Sequence, residues 1–339
     1  MFLVCGEALF DVFIGSESDA ALHLDARPGG SPFNVAVGLA RLGQPVAFLS
    51  GLARDMLGER LARTLATEGV DTRCCPLFDA PTTLGMVELD AAGVPRYAFY
   101  GNGAADRLLC VERLPALDAG VRAIHVGSYA TVVEPVATAL ETLVRRERGT
   151  RLIAYDPNVR LNVEPALERW RARVDSLAAL AHLVKISDED LHLLFGAVDE
   201  AALAERWLAG GAGLVVVTRG ARGASAWNRR ARADVPAPVV TTVDTVGAGD
   251  TFQAAMLAHL AETDRLSPAA LAAMDEPALA RLLRFAAGAA ALTCSRRGAD
   301  MPRRSELSLT DGPDARENDD VRSARTVEDV PVSRTQPFP

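Results

Sequence analysis

The length, composition and charge of the chain exclude several classes of protein. Its 339 residues, 49% of them hydrophobic, are enough to bury a large core, and the net charge of −8 argues against a nucleic-acid partner. The five cysteines include no C-x-x-C pair, which predicts free thiols and a cytoplasmic location. No apolar run approaches the roughly 18 residues that cross a bilayer, so we expect no membrane partner.

The chain begins with a predicted buried strand, residues 2–5, that ends at Gly6. Asp11 then lies inside an apolar segment, residues 10–14. A carboxylate in apolar surroundings needs a hydrogen-bond partner. Asp11 is therefore either an acceptor for the hydroxyl groups of a polyol or an aspartate at a strand edge that faces water.

A glycine-rich loop with Gly29 and Gly30 leads into a predicted helix. Two adjacent glycines let the backbone approach a ligand closely. Asn34, in the first turn of that helix, offers a donor and an acceptor to a sugar hydroxyl. An ordinary turn with an asparagine cap is the alternative. A strand at 46–49 and a helix around 57–65 complete a β-α unit.

A hairpin is predicted next, with arms at 84–90 and 96–100. Together with residues near the first strand, it would form a small sheet that stands off the main domain, built from about 12–25 and 82–107. Such a sheet would close over a substrate as a lid and exclude water, which would protect a nucleotide from hydrolysis. A surface hairpin is the alternative.

Strands and helices then alternate, which is typical of a parallel sheet covered on both faces. The predicted strands are 123–126, 152–155, 183–186 and 214–217, and the predicted helices lie around 134–147, 173–181 and 199–209. Ligands bind such sheets at the carboxyl ends of the strands. Polar loops follow three of these ends, at 156–160, 187–190 and 218–223.

The loop 244–250, Asp-Thr-Val-Gly-Ala-Gly-Asp, joins a predicted strand at 239–243 to a predicted helix. Unpaired N–H groups and the positive end of a helix dipole favour an anion such as phosphate there. Asp250, in the first turn, is expected to be ionised and could take a proton from a hydroxyl group. The alternative is a glycine-rich turn whose aspartate only complements the dipole.

The end of the chain changes in character after a second apolar helix at 278–292 and a loop at 294–299. From about residue 303 to 339 it is charged and nearly devoid of aromatic side chains. That composition predicts a disordered tail after a domain that spans 1–302.

Two motifs and their order make the chain similar to the ribokinase-like (PfkB) carbohydrate kinase family over residues 1–302. The segment 29–36 resembles the N-terminal signature of that family, and 244–252 resembles its C-terminal signature. Within the family, 6–11 and 156–160 look most like bacterial fructokinases. The resemblance implies an α/β fold, a three-layer βαβ sandwich with a mostly parallel central sheet and a small β-sheet lid.

The resemblance also implies phosphoryl transfer from ATP to a sugar hydroxyl, with Mg²⁺ and a K⁺ site. Asp250 would be the base, and the anion hole would be Gly247, Ala248 and Gly249. The residues expected to bind the sugar are Asp11, Gly29, Gly30, Asn34, Tyr97, Phe99 and Arg160. Those expected at the nucleotide and Mg²⁺ are Ser187, Asp190, Thr218, Gly220, Gly223 and Gly249. The monovalent cation would lie at Asp244, Val246, Thr293, Arg296 and Gly298.

One departure and one ambiguity remain. Ser187 and Asp190 replace the family's N-x-x-E pair, which keeps an acceptor near the metal shell. Arg160 suits the carboxylate of a sugar acid, so a 2-keto-3-deoxygluconate kinase is the alternative to a fructokinase. A non-catalytic sugar-binding protein on the same fold is a further alternative, which the intact Asp250 disfavours. An exposed hairpin edge makes a homodimer through the lid plausible.

Overall fold

The computed structural model describes residues 1–18, 21–89 and 95–307. Its strands and helices alternate along the chain, as the sequence predicts. The strands are β1 Phe2–Cys5, β2 Leu9–Ser18, β3 Ala21–Gly29, β4 Val46–Leu49, β5 Leu52–Ala53, β6 Leu77–Phe78, β7 Leu84–Leu89, β8 Pro95–Tyr100, β9 Ala123–Gly127, β10 Leu152–Asp156, β11 Leu183–Ser187, β12 Leu214–Thr218, β13 Ala224–Trp227 and β14 Arg232–Val235. The helices are α1 Ser31–Arg41, α2 Met56–Thr67, α3 Val136–Glu147, α4 Leu167–Ala178, α5 Asp188–Phe195, α6 Glu200–Gly210, α7 Ala248–Glu262, α8 Pro268–Ala272 and α9 Glu276–Cys294.

The central sheet has the strand order β14-β13-β12-β11-β10-β9-β1-β4. Its pairs from β12 to β4 are parallel, and β13 and β14 add two antiparallel strands at one edge. The parallel strands are short and buried except at Ser187 and Thr218, the last residues of β11 and β12, because helices cover both faces. This confirms the predicted α/β fold and brings the carboxyl ends of six neighbouring parallel strands to one edge.

Two apolar cores lie on the two faces of this sheet. Side chains of α1, α2, α7 and α9 fill one of them, and those of α3, α4 and α6 fill the other. In the second core Trp170 is fully buried. Burial of apolar area on both faces stabilises the three-layer arrangement at about 25 cal/mol per Å². The first core is the one that fixes α1 and α7 against the sheet.

A second, smaller sheet has the order β3-β2-β7-β8. The predicted hairpin is its β7–β8 pair, which is antiparallel, whereas β2 and β7 pair in parallel. The sheet is longer than predicted on its first side, because β2 and β3 pair from Leu9 and Gly29 onward. We call this four-stranded sheet the small sheet.

The prediction of a strand at 239–243 is wrong. Val239 is fully exposed there, and the segment has no strand partner among the described residues. The N–H groups of Val243 and Asp244 instead bond to the carbonyl oxygen of Cys294, at 2.8 and 3.2 Å. The β-branched composition of the segment suited a strand, but its backbone hydrogen bonds go to the end of α9.

Helix α5 was absent from the predicted elements, since the acidic run at 187–190 reads as a loop. Ser187 is the N-cap of α5, and its hydroxyl oxygen accepts from the N–H of Asp190 at 3.0 Å. Acidic side chains in a first helical turn complement the helix dipole, which accounts for the run.

The described part of the chain has three further features that bear on the predictions. None of its helices is long and apolar enough to cross a membrane. All five cysteines are free thiols. The first compact unit ends at Leu307, after a 3₁₀ turn at Arg304–Glu306, and the remainder of the predicted tail, 308–339, lies outside the described residues.

Candidate active site

The carboxyl ends of the parallel strands border a cavity of about 710 Å³. Polar residues that follow β1, β9, β10, β11 and β12 reach it, and the small sheet contributes Asp11, Phe13, Val87 and Phe99. The predicted site residues that line it are Asp11, Gly30, Asn34, Phe99, Arg160, Ser187, Asp190, Thr218, Gly220, Val246, Gly247, Gly249 and Asp250. Residues far apart in the chain thus surround one volume.

Asp250 lies in the first turn of α7 and is 9% exposed. Its Oδ1 accepts a hydrogen bond from the hydroxyl of Ser31 at 2.7 Å, and its Oδ2 accepts from the amide nitrogen of Asn34 at 2.8 Å. Both donors come from the first turn of α1, which packs on α7 in the first core. The glycine-rich loop of α1 and the loop of α7 therefore meet at this carboxyl group.

Burial raises the pKa of Asp250 above its usual value, whereas the sequence suggested only a stabilised carboxylate. The hydrogen bonds from Ser31 and Asn34, and the positive charges of Lys185 and Arg160, act in the opposite direction. A base with a raised pKa holds a transferred proton more firmly. The environment therefore moves Asp250 toward the strength that general-base chemistry needs.

The loop before α7 has the shape of an anion cradle. Gly247 is its N-cap, with φ 77°, a left-handed conformation that glycine adopts at low cost. A Cβ atom at Gly247 would lie 2.6 Å from the Cβ of Ala299, so a side chain has no room there. N–H groups at the start of a helix favour a phosphate group, and α7 has 15 residues. In this structure the N–H of Ala248 donates to the carbonyl oxygen of Thr245 at 3.2 Å.

Lys185 lies beneath this cradle and was not found from the sequence. It is 4% exposed, its Nζ donates to Oδ2 of Asp156 at 2.7 Å, and a Cβ atom at Gly249 would lie 3.3 Å from that Nζ. Both partners of this buried ion pair come from neighbouring strands. A lysine in an otherwise apolar predicted strand was the one signal in the sequence.

Asp11 points between two glycines of the small sheet. A Cβ atom at Gly29 would lie 2.3 Å from its Oδ2, and one at Gly85 would lie 3.2 Å from its Oδ1. Burial raises the pKa of Asp11 to about 6, against the positive charge of Arg160. Gly29 thus makes room for the Asp11 carboxyl group without itself lining the cavity.

Asp190 and the residues around it form the opposite group of polar side chains. Its Oδ1 accepts from the N–H of Val159 at 3.2 Å, and burial raises its pKa to about 6, with the charge of Asp156 acting in the same sense. Thr218, the last residue of β12, and Gly220, just after it, line the cavity, whereas Gly223 does not. A Cβ atom at Gly223 would lie 2.0 Å from the carbonyl oxygen of Val235, so this glycine serves close backbone packing.

The residues predicted for a monovalent cation lie together behind the cradle. Asp244 accepts from the N–H of Val246 at 3.0 Å and from the N–H of Gly298 at 2.8 Å. Thr293 is buried with its hydroxyl 2.9 Å from that of Thr251, and the Arg296 side chain turns away to Glu306. Of these, Val246 alone lines the cavity. The described residues hold no group of three or more histidine, cysteine, aspartate or glutamate side chains around a metal position.

Three predicted site residues remain, and only one of them is known to line the cavity. Phe99 lines the cavity and packs edge-on against Tyr129, with ring centroids 6.5 Å apart. The side chain of Tyr97 lies outside the described residues. Ala248 is the first residue of α7 and does not line the cavity.

The fold and the cavity define an α/β protein in which a buried carboxyl group stands at the N-terminus of a helix, beside an anion cradle. The pfkB family carbohydrate kinase model matches residues 2–305, and the chain belongs to this family. The predicted family is confirmed, and the reaction of this family is phosphoryl transfer to a carbohydrate.

Sequence and structural similarity to known fructokinases extends over at least 90% of this chain. A fructokinase of Rhizobium leguminosarum bv. trifolii is 39% identical over 309 residues, which cover 91% of this chain and 93% of that protein. A fructokinase of Xylella fastidiosa with bound ATP is 32% identical with a TM-score of 0.83, over 90% of this chain and 96% of that one. A Vibrio cholerae fructokinase with fructose, ADP and calcium bound is 27% identical with a TM-score of 0.77, over 90% and 97%.

Proposed function

We propose that this carbohydrate kinase transfers the γ-phosphoryl group of ATP to a hydroxyl group of fructose. The observation that carries the proposal is Asp250, buried at the cavity beside the α7 cradle with both carboxyl oxygens held by Ser31 and Asn34. The similarity to fructokinases, one of them with bound ATP and another with fructose and ADP, supports the choice of substrates.

In the proposed reaction Asp250 accepts the proton of the attacking hydroxyl group. The sugar oxygen then attacks the γ-phosphorus, and the bond to ADP breaks in line. N–H groups at Gly247, Ala248 and Gly249 stabilise the charge on the transferring group, and that of Ala248 exchanges its bond to the carbonyl oxygen of Thr245 for one to this group. Ser31 and Asn34 fix the direction of the carboxyl group, and the raised pKa of Asp250 suits its task as a base.

The charges around Arg160 favour a neutral sugar over a sugar acid. Arg160 lines the cavity, and its positive charge lowers the pKa of Glu7, Asp11, Asp190 and Asp250 together. One guanidinium group thus serves four carboxyl groups. A sugar acid would add a fifth carboxyl group to that set, whereas hydroxyl groups of fructose can donate to these carboxyl groups without adding charge.

The residues near β11 and β12 fit a nucleotide and its metal ion. Asp190 and Ser187 offer oxygen atoms, which hard cations such as Mg²⁺ prefer, and Thr218 and Gly220 line the same side of the cavity. Bound Mg²⁺ would neutralise charge on the ATP phosphates. We also propose a K⁺ ion at the loop of Asp244, supported by the segment 293–298 that lies beside it, since the N–H of Gly298 donates to the Asp244 carboxylate at 2.8 Å.

Three further proposals concern the setting of the reaction. The small sheet acts as a lid, supported by Asp11 and Phe99, which reach the cavity from it. A homodimer forms through its edge strand β3, supported by exposed Leu22 and Leu24. The free thiols support a location in the cytoplasm.

An ADP-release assay with ATP and Mg²⁺ tests the function directly. The substrates are fructose, ribose, 2-keto-3-deoxygluconate and adenosine, with a control that contains no sugar. We expect turnover with fructose well above that with the others. Selective turnover of the keto-deoxy acid would contradict the charge argument at Arg160. Saturable sugar binding without turnover of any of them would instead point to a non-catalytic protein.

A further inference from the structure

The turn between β1 and β2 brings a second buried carboxyl group to the cavity. Glu7 is 1% exposed and lines the cavity, yet its Oε2 accepts no hydrogen bond from any described residue. A buried polar atom without a partner costs about 1–3 kcal/mol. A fold that retains such an atom at the edge of a binding cavity has a use for it.

Ser128, whose side-chain hydrogen bond to the Glu7 carboxyl group lowers the pKa of Glu7, has a strained backbone conformation. It follows β9 and also lines the cavity, with φ 56° and ψ −160°, a region that belongs almost entirely to glycine. Its N–H donates to the carbonyl oxygen of Asp156 at 3.1 Å, and its own carbonyl oxygen accepts from Thr131, so neighbours on both sides hold it in place. Backbone strain of this kind concentrates at ligand sites.

The surroundings of Glu7 link it to the sugar side of the cavity. Gly30, with φ 102°, lies directly on it, since a Cβ atom there would stand 2.9 Å from the Glu7 carbonyl oxygen and 3.2 Å from its Cγ. Tyr129, next to Ser128, donates to Asp106 and packs against Phe99 of the small sheet. Glu7 therefore touches the glycine-rich loop, and its partner Ser128 is adjacent in sequence to the tyrosine that packs against the small sheet.

We propose that Glu7 is a specificity-determining residue whose free carboxyl oxygen accepts a hydrogen bond from a hydroxyl group of the bound sugar. The inference rests on the proposed function in that the ligand is a sugar. The hydroxyl of Ser128 orients the carboxyl group, and the backbone hydrogen bonds of Ser128 to Asp156 and Thr131 hold this residue in place. The costs of both residues are offset when the sugar binds, so they should appear as sugar affinity and not as stability of the free protein.

The test compares Glu7→Gln with Glu205→Gln, an exposed glutamate of α6 outside the cavity. The wild-type enzyme is first assayed against the sugar panel above, and the variants are then compared on the sugar it prefers. A failure of the proposed fructose activity is thus separate from a failure of the role of Glu7. We expect Glu7→Gln to raise the KM for the sugar by roughly tenfold or more and to leave the KM for ATP unchanged.

A measurement without turnover completes the test. We expect the free Glu7→Gln protein to melt at or above the wild-type temperature, and the rise in Tm produced by the sugar alone to shrink, because that rise depends on affinity. Ser128→Ala should change sugar KM in the same direction, and the double variant should change it by less than the sum in free energy. An unchanged sugar KM in Glu7→Gln would overturn the proposal. So would a lower Tm with sugar and ATP KM raised together, or failure of Glu7→Gln to fold, since each marks a structural residue.

Discussion

Two buried carboxyl groups that line the same cavity differ in how completely the protein satisfies them. Asp250, at the start of α7, has a donor on each oxygen, whereas Glu7, at the turn after β1, has an oxygen without a partner among the described residues. The first group is oriented by the protein alone, and the second is complete only with a ligand. From this difference we expect Asp250 to govern turnover and Glu7 to govern the affinity for the sugar.

The largest expected effect is at Asp250. Asp250→Asn keeps the size of the side chain and removes the base, so turnover should fall by roughly 10²- to 10⁴-fold, or about 3–5 kcal/mol of barrier. The KM values for ATP and sugar should change little in steady-state kinetics, since the cradle stays in place. Activity within a few fold of wild type would remove Asp250 from the role of base.

A second change tests the buried ion pair between Lys185 and Asp156 beneath the cradle. Lys185→Met leaves Asp156 buried without its partner, and breaking a buried ion pair in this way costs about 3–5 kcal/mol of unfolding free energy. Chemical denaturation measures this loss. The double variant Lys185→Met/Asp156→Leu should recover much of the stability but not the activity. If the single variant is as stable as wild type, the pair is not desolvated as the structure describes it.

A third change uses pH to separate the two carboxyl groups. Burial raises the pKa of Glu7 from 4.5 to about 7, with Asp106 acting in the same sense and Ser128 and Arg160 against it. Because the folded value is the higher one, the stability present below pH 4.5 is lost as the pH rises to about 7. Glu7→Gln removes this loss, worth at most about 3 kcal/mol at pH 8.

The measurement for this third change is the free energy of unfolding as a function of pH. Wild type should lose stability between pH 4.5 and 7 more steeply than Glu7→Gln, although Asp11 and Asp190, also raised to about 6, contribute in both proteins. Identical pH dependence in the two proteins would mean that Glu7 ionises normally.

The smallest expected effect concerns the donor to Asp250. Ser31→Ala removes a hydrogen bond that lowers the pKa of this carboxyl group, so its pKa should rise further. The acid limb of the kcat profile should then move to higher pH, while kcat on the plateau falls by roughly tenfold or less. Thr263→Ala, at the far end of α7, is the matched control and should leave the profile unshifted.

Most of the framework could be predicted from the sequence because its signals are local. Strands such as β9 to β12 are short apolar runs between helical patterns. The loops before α1 and α7 have glycines, Gly30 and Gly247, at positions with positive φ angles. The strand at 239–243 failed because β-branched residues express a preference for extended backbone, not for a partner strand. Helix α5 was missed because its acidic first turn looks like a loop until its N-cap is seen.

The sequence by itself determined the family and the α/β fold and supplied the proposed base and cradle, since these depend on motifs within a few residues of one another. Only the tertiary structure decided how they are completed. Ser31 and Asn34 meet Asp250 across more than 200 residues, Lys185 reaches under Gly249, and Glu7 keeps an unpartnered oxygen. Such partnerships depend on which strand ends and helix ends share one edge of the sheet, and burial at that edge sets their pKa values.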